Sequence, residues 1–178
     1  MERDIKDILL TEEDIRDKVN ELGEKITKDH QGEELILIGV LKGANVFMSD
    51  LMRKINKPIE IDFISVSSYG HSTESSGVVR ILKDLDSEIE GKNVIIVEDI
   101  IDSGLTLKYL IQNFKTRNPK SVKICTLLDK PERRKVDIKI DYKGFVIPDE
   151  FIVGYGIDYA EGYRNLPYVA TLKDEVYS

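Results

Sequence analysis

The chain has 178 residues, 41% apolar and 33% charged, which suits one soluble globular domain with a substantial core and excludes a disordered chain. Its net charge of −7, with no basic block, argues against a duplex-binding surface, and no apolar run approaches the ~20 residues of a membrane helix. Met1-Glu2-Arg3-Asp4 is too charged to open a secretory signal, and the single Cys125 has no internal disulfide partner, so a cytoplasmic location is expected.

Thr11 is the first helix-start signal, with Glu12, Glu13 and Asp14 placing negative charge in the first turn. Ile15, Val19, Leu22 and Ile26 follow at helical spacing and predict an amphipathic helix over 12–28. His30 is expected as a polar residue at its C-terminal end. Leu35 to Val40 is a continuous apolar run, the pattern of a strand covered on both faces, and residues 44–54 read as helix. Ile59, Ile61 and Phe63 alternate with Glu60 and Asp62, which predicts a half-exposed strand. Residues 67–76 are small and polar, and a further strand is expected over 77–82. Strands at 94–97 and 122–128 flank a helix of about 106–116, and Cys125 is expected to pack in the second of these strands. Strands alternating with helices argue for a mostly parallel sheet with helices on both faces. After about residue 140, Gly144, Pro148, Gly154, Gly156, Gly162 and Pro167 predict short irregular strands and loops.

The most informative segment is Val94-Ile-Ile-Val-Glu-Asp-Ile-Ile-Asp-Ser-Gly-Leu-Thr106. A buried strand ends in the adjacent acids Glu98 and Asp99. A turn of small residues, Asp102 to Thr106, then opens a helix. A helix N-terminus offers unpaired N–H groups, Gly104 lets backbone approach an anion, and Ser103 and Thr106 add hydroxyl donors, so the turn suits a phosphate. Two acids beside it would repel a bare phosphate. They suit a ligand that also carries sugar hydroxyls or a divalent metal, and a phosphorylated ribose with magnesium meets both conditions. Neither the nucleotide-binding Gly-x-x-x-x-Gly-Lys-Ser/Thr loop nor the dinucleotide Gly-x-Gly-x-x-Gly fingerprint is present.

That segment resembles the phosphoribosyl-pyrophosphate signature of the type I phosphoribosyltransferases. Lys130 in Leu128-Asp-Lys-Pro131, and Phe151 in Pro148-Asp-Glu-Phe-Ile-Val-Gly-Tyr155, extend the resemblance to the hypoxanthine-guanine phosphoribosyltransferase family over about residues 8–172. The resemblance implies a type I phosphoribosyltransferase fold on residues 1–178. Its core would span about 30–142, and a small hood would be built from the N-terminal segment and about 143–178. It also implies transfer of 5-phosphoribose from phosphoribosyl pyrophosphate to a 6-oxopurine, with Mg2+ as cofactor, in a homodimer or homotetramer without nucleic-acid or membrane partners.

The implied roles fall on particular residues. Glu98, Asp99, Asp102, Ser103, Gly104, Leu105 and Thr106 would bind ribose and its 5-phosphate, with Asp102 catalytic. Leu105 stands where some family members carry a lysine, so phosphate binding would rest on backbone N–H groups and the two hydroxyls. Lys42 and Gly43, in Gly39-Val-Leu-Lys-Gly43, would bind pyrophosphate together with Arg164, often across a cis peptide that would here join Leu41 and Lys42. Lys130, Phe151, Ile152 and Asp158 would bind the purine: the ammonium meets its 6-oxo group, the ring stacks on it, and the backbone of Ile152 reads its edge. Glu98, Asp99 and Asp158 would serve the metal. Ser68 and Tyr69 would belong to a flexible lid. A transcriptional regulator that binds a phosphoribosylated ligand is the rival reading, but the acidic balance and the intact Lys130 and Phe151 count against it. An enzyme preferring xanthine is the nearer alternative.

Overall fold

The computed structural model describes residues 1–68 and 79–177. Two sheets organise them. The larger has the strand order β4-β3-β2-β5-β6-β7, with β2 at Leu35–Leu41, β3 at Glu60–Ser68, β4 at Val79–Lys83, β5 at Asn93–Ile101, β6 at Ser121–Asp129 and β7 at Tyr142–Val146. All its neighbouring pairs are parallel except β3 with β4. The smaller sheet joins β1 (Ile5–Leu10), β9 (Val169–Leu172) and β8 (Ile152–Val153) in antiparallel order, so the two ends of the chain close on each other.

The continuous apolar runs do what such runs imply. Every residue from Leu35 to Val40 is buried, with Ile36, Ile38 and Val40 in one core layer and Leu35 and Leu37 in the other. β5 divides the same way, Val94 and Ile96 against Ile95 and Val97. Helices α1 (Glu12–Asp29) and α2 (Asn45–Met52) cover one face through Ile15, Val19, Leu22, Ile26, Phe47, Met48 and Leu51. α3 (Leu105–Lys115) covers the other through Leu107, Leu110 and Phe114. Each of these side chains stabilises the fold by roughly 1.5–3 kcal/mol relative to exposure. Cys125 is free and buried in β6, where burial pushes its thiol up and keeps it unreactive.

Thr11 caps α1 as its sequence position implies. Its Oγ1 accepts from the Asp14 N–H at 3.1 Å, while Asp14 Oδ2 accepts from the Thr11 N–H at 2.9 Å. His30 caps the C-terminal end of α1, as expected, but does so buried. It is 1% exposed, with its Nε2 3.3 Å from the Tyr142 hydroxyl and 3.4 Å from Lys123 Nζ. Burial, with the Lys123 charge beside it, lowers its pKa and favours the neutral ring.

The alternation in β3 does not sort its apolar residues inward and its acids outward. Ile61 is 43% exposed, whereas Asp62 is 6% exposed and faces inward. Asp62 accepts from the backbone N–H groups of Phe63, Asp86 and Ser87 at 2.7, 2.9 and 2.8 Å. Burial alone would raise its pKa; these donors and Lys83 outweigh that and hold it below the usual carboxylate value. The acid tethers the turn after β4 to the sheet, and a periodicity argument that treats acids as outward-facing misses it.

Candidate active site

In open α/β sheets, ligands sit beyond the carboxyl ends of the strands where the connections diverge to opposite sides. Here that point lies between β2, whose chain continues through α2 to β3, and β5, whose chain continues through α3 to β6 on the other side. The loops leaving β2 and β5 carry Lys42-Gly43 and Asp102–Gly104 respectively.

A cavity of about 330 Å³ opens between these strand ends, lined by Leu41, Glu98, Ile100 and the whole turn from Asp102 to Thr106. Gly104 caps α3 with φ +78°, a conformation L side chains rarely adopt, and a Cβ there would lie 3.0–3.1 Å from Ile138, Arg134 and Val136. Three successive carbonyls of the turn are held by the segment after β6. Ile101 O accepts from Lys130 N–H and Ser103 O from Lys135 N–H, both at 3.0 Å, and Asp102 O accepts from Arg134 Nε at 3.1 Å. Arg134 is itself fixed by buried Asp129, which also pairs with Lys143 at 2.7 Å. With its carbonyls thus occupied, the turn can offer N–H groups to a ligand, although that of Leu105 already donates to Ser103 Oγ at 3.4 Å.

Glu98 and Asp99 lie inside β5, which runs on to Ile101 past the strand end expected at Val97; Glu98 is half-buried and Asp99 is buried. Burial, then the neighbouring Asp99 charge, raises the Glu98 pKa well above its ordinary value; burial likewise raises that of Asp99. Asp99 lies against the β2 loop so closely that a Cβ on Gly43 would fall 1.9 Å from its Oδ2, which makes glycine a packing requirement there. The Leu41–Lys42 peptide is cis. Gly43 O packs in turn on Gly156, linking this loop to the segment that carries Asp158 and Arg164.

Arg164 is held by Gly156 O at 2.8 Å and by Asp158 at 2.9 Å. Glu161 lies between the cations assigned to pyrophosphate: 2.9 Å from Lys42 Nζ and 3.4 Å from Arg164 Nη2. Its role has no signal in the sequence, because the two partners meet only through the fold. A second cavity of about 340 Å³ brings together Lys130 and Phe151 with Glu150, Thr171 and Tyr177. Lys130 is buried and donates to Glu150 O at 2.7 Å, while Phe151 is 41% exposed and stacks on Tyr177 at 4.9 Å between ring centroids. Ile152 is buried in β8, paired with Thr171. Ser68 ends β3 opposite Val79; Tyr69 and the rest of the expected lid lie outside the described residues.

A parallel sheet whose switch point holds paired acids, a left-handed glycine and a helix start defines a class, the type I phosphoribosyltransferases. The family model described as "Phosphoribosyl transferase domain" matches residues 6–160. The chain is 57% identical over 177 residues to the hypoxanthine-guanine phosphoribosyltransferase of Bacillus subtilis (strain 168), covering 99% of this chain and 98% of that one. It is 53% identical over 178 residues to the bifunctional protein TilS/HprT of Listeria monocytogenes serotype 4b (strain F2365), where it spans all of this chain but 28% of the longer protein. A crystal structure of a hypoxanthine phosphoribosyltransferase from Staphylococcus aureus superposes with a TM-score of 0.97 at 56% identity, covering 100% of this chain and 97% of the other. The chain belongs to the hypoxanthine-guanine phosphoribosyltransferases of that class.

Proposed function

We propose that the protein transfers 5-phosphoribose from phosphoribosyl pyrophosphate to N9 of hypoxanthine or guanine, giving IMP or GMP and pyrophosphate, in purine salvage. The observation that carries this reading is the cavity at the β2–β5 switch point, lined by Glu98, the phosphate turn and Leu41 at the end of β2, with Asp99 packed against Gly43 of the loop that follows. In the reaction, N9 bonds to C1′ of the ribose, the C1′–oxygen bond to pyrophosphate breaks with its electron pair leaving on oxygen, and the purine loses a proton. Ser103, Thr106 and the turn's N–H groups hold the 5-phosphate, with Gly104 and Leu105 supplying close backbone. Glu98 and Asp99 accept from the ribose hydroxyls. Asp102 bonds N7 and takes the proton, a contribution of typically 10²–10⁴-fold for such a group.

Lys42, Gly43 and Arg164 neutralise the departing pyrophosphate. Lys130 donates to the 6-oxo group and cannot accept from the amine of adenine; a buried donor left unpaired costs about 1–3 kcal/mol, more when charged. Phe151 stacks on the base, and Ile152 and Asp158 face its edge. Ser68 and Tyr69 are assigned to a lid that excludes water.

Mg2+ fits the donor set. Two adjacent carboxylates with raised pKa values want a compensating cation, while Asp158, assigned to the same metal, is held here by Arg164 at 2.9 Å. No group of three or more His, Cys, Asp or Glu among the described residues is placed to hold a metal by itself. That suits an ion completed by diphosphate oxygens and water. Bound there, it would add positive charge against the leaving pyrophosphate.

We read residues 1–178 as one domain, with a core of about 30–142 and a hood formed by the N-terminal segment and 143–178. Family resemblance supports a cytoplasmic homodimer or homotetramer. No described helix is long and apolar enough to cross a membrane. The test is pyrophosphate release from phosphoribosyl pyrophosphate and Mg2+ with hypoxanthine, guanine, xanthine, adenine and uracil in separate reactions. Release with hypoxanthine or guanine is expected. Silence in every reaction from folded protein would favour the regulator reading.

A further inference from the structure

We infer that Glu161 is an internal stand-in for pyrophosphate, an anion that occupies the cations of the leaving-group site when no substrate is bound and competes with pyrophosphate for them. The inference rests on the assignment of Lys42 and Arg164 to pyrophosphate. Both cations pair with this one carboxylate, at 2.9 and 3.4 Å. The pairing is not an accident of a floppy side chain, because the backbone is shaped to deliver it. Ala160, Glu161 and Tyr163 all have positive φ, at 48°, 63° and 70°. Such conformations disfavour L residues and persist only where surrounding structure holds them.

The surrounding structure does hold them. Asp158 Oδ2 accepts from the Glu161 N–H at 2.9 Å, and Tyr159 and Gly162 exchange backbone hydrogen bonds at 3.3 and 2.9 Å. The hydrogen bond from Lys42, and then its charge, hold the Glu161 carboxyl below its ordinary pKa, so the pair is ionised at neutral pH.

The energetics fit a replaceable contact. Lys42 and Glu161 side chains are each 67% exposed. An exposed pair of this kind contributes little and is screened by salt. A ligand carrying several negative charges therefore outcompetes it. Asp158 fixes Arg164 at 2.9 Å, so the two acids divide the work of positioning and competing. When pyrophosphate leaves, Glu161 returns to the cations and discourages rebinding. The residue thereby sets product affinity without touching the reacting atoms.

The experiment compares wild type and Glu161→Gln, which keeps side-chain length and backbone demands but removes the charge. Pyrophosphate binding is measured by titration calorimetry with Mg2+ at low and high salt, and its product-inhibition constant is measured in the hypoxanthine reaction. Glu161→Gln should bind pyrophosphate about fivefold more tightly at low salt, the upper range for releasing an exposed ion pair, with the gap closing at high salt. Unchanged or weaker binding by the variant, or no binding by either protein, would overturn the inference and make Glu161 a support for Arg164. Calorimetry needs no turnover, so a wild type that binds pyrophosphate but fails to use hypoxanthine would sink the assigned reaction and leave this comparison decisive.

Discussion

Glu98 carries an electrostatic cost to the fold at the end of the sheet where the ribose is proposed to bind. Its pKa is raised by burial and by Asp99, so the folded state holds the proton more tightly than the unfolded chain. The sign follows: above the raised pKa the ionised group destabilises the fold, and that cost is relieved as pH falls toward the ordinary value of 4.5. Glu98→Gln should therefore raise the melting temperature at pH 8, by about 2–4 °C for each kcal/mol relieved, and lose the advantage at pH 5. The same variant should weaken phosphoribosyl pyrophosphate binding; scanning calorimetry at both pH values with and without ligand checks both halves. Asp102 differs because it is exposed at the cavity and its side chain carries no structural hydrogen bond among those described. Asp102→Asn should melt within a degree or two of wild type yet lose about 10²–10⁴-fold in turnover with hypoxanthine, and near-normal turnover would remove it from the proton transfer.

Among the elements, the unit that matters is β5, its turn, and the clasp of residues 130–135 beneath it. Arg134 joins the two halves: its Nε holds Asp102 O, and its terminal nitrogen pairs with buried Asp129. Arg134→Gln removes a charged donor from both, so two hydrogen bonds worth about 1.5–3 kcal/mol each are lost and Asp129 keeps, among the described residues, its pair with Lys143. The expected result is a fall in kcat of about tenfold or more, larger than the change in the Michaelis constant for hypoxanthine. Equal losses in all parameters together with a collapsed melting temperature would reduce Arg134 to a structural role.

The same scale separates what local sequence contains from what it lacks. β2 and β5 are legible because a strand buried on both faces must be continuously apolar, and α1 is legible because Thr11 and the 3.6-residue spacing are local signals. β1 is not expected from the sequence. Ile5-Lys6-Asp7-Ile8-Leu9-Leu10 has no clean alternation, and its partner β9 lies some 160 residues away. Asp62 defeats periodicity because its three N–H donors come from its own strand neighbour and from a distant turn.

At the scale of the whole molecule, the site is assembled where four separated segments converge: 41–43, 98–106, 130–135 and 151–164. The sequence names most of the residues because each segment has its own motif. It cannot give their mutual contacts, and that is why the Lys42–Glu161–Arg164 group and the clasp of three carbonyls emerge only from the fold. In the proposed reaction these segments act together to move phosphoribose onto a 6-oxopurine chosen by Lys130. The most direct test is a competition in one vessel: hypoxanthine and adenine at equal concentration, phosphoribosyl pyrophosphate and Mg2+, with the nucleotides resolved by chromatography. IMP with no detectable AMP is the expected product. Formation of AMP at a comparable rate, or no nucleotide at all from folded protein, would contradict it.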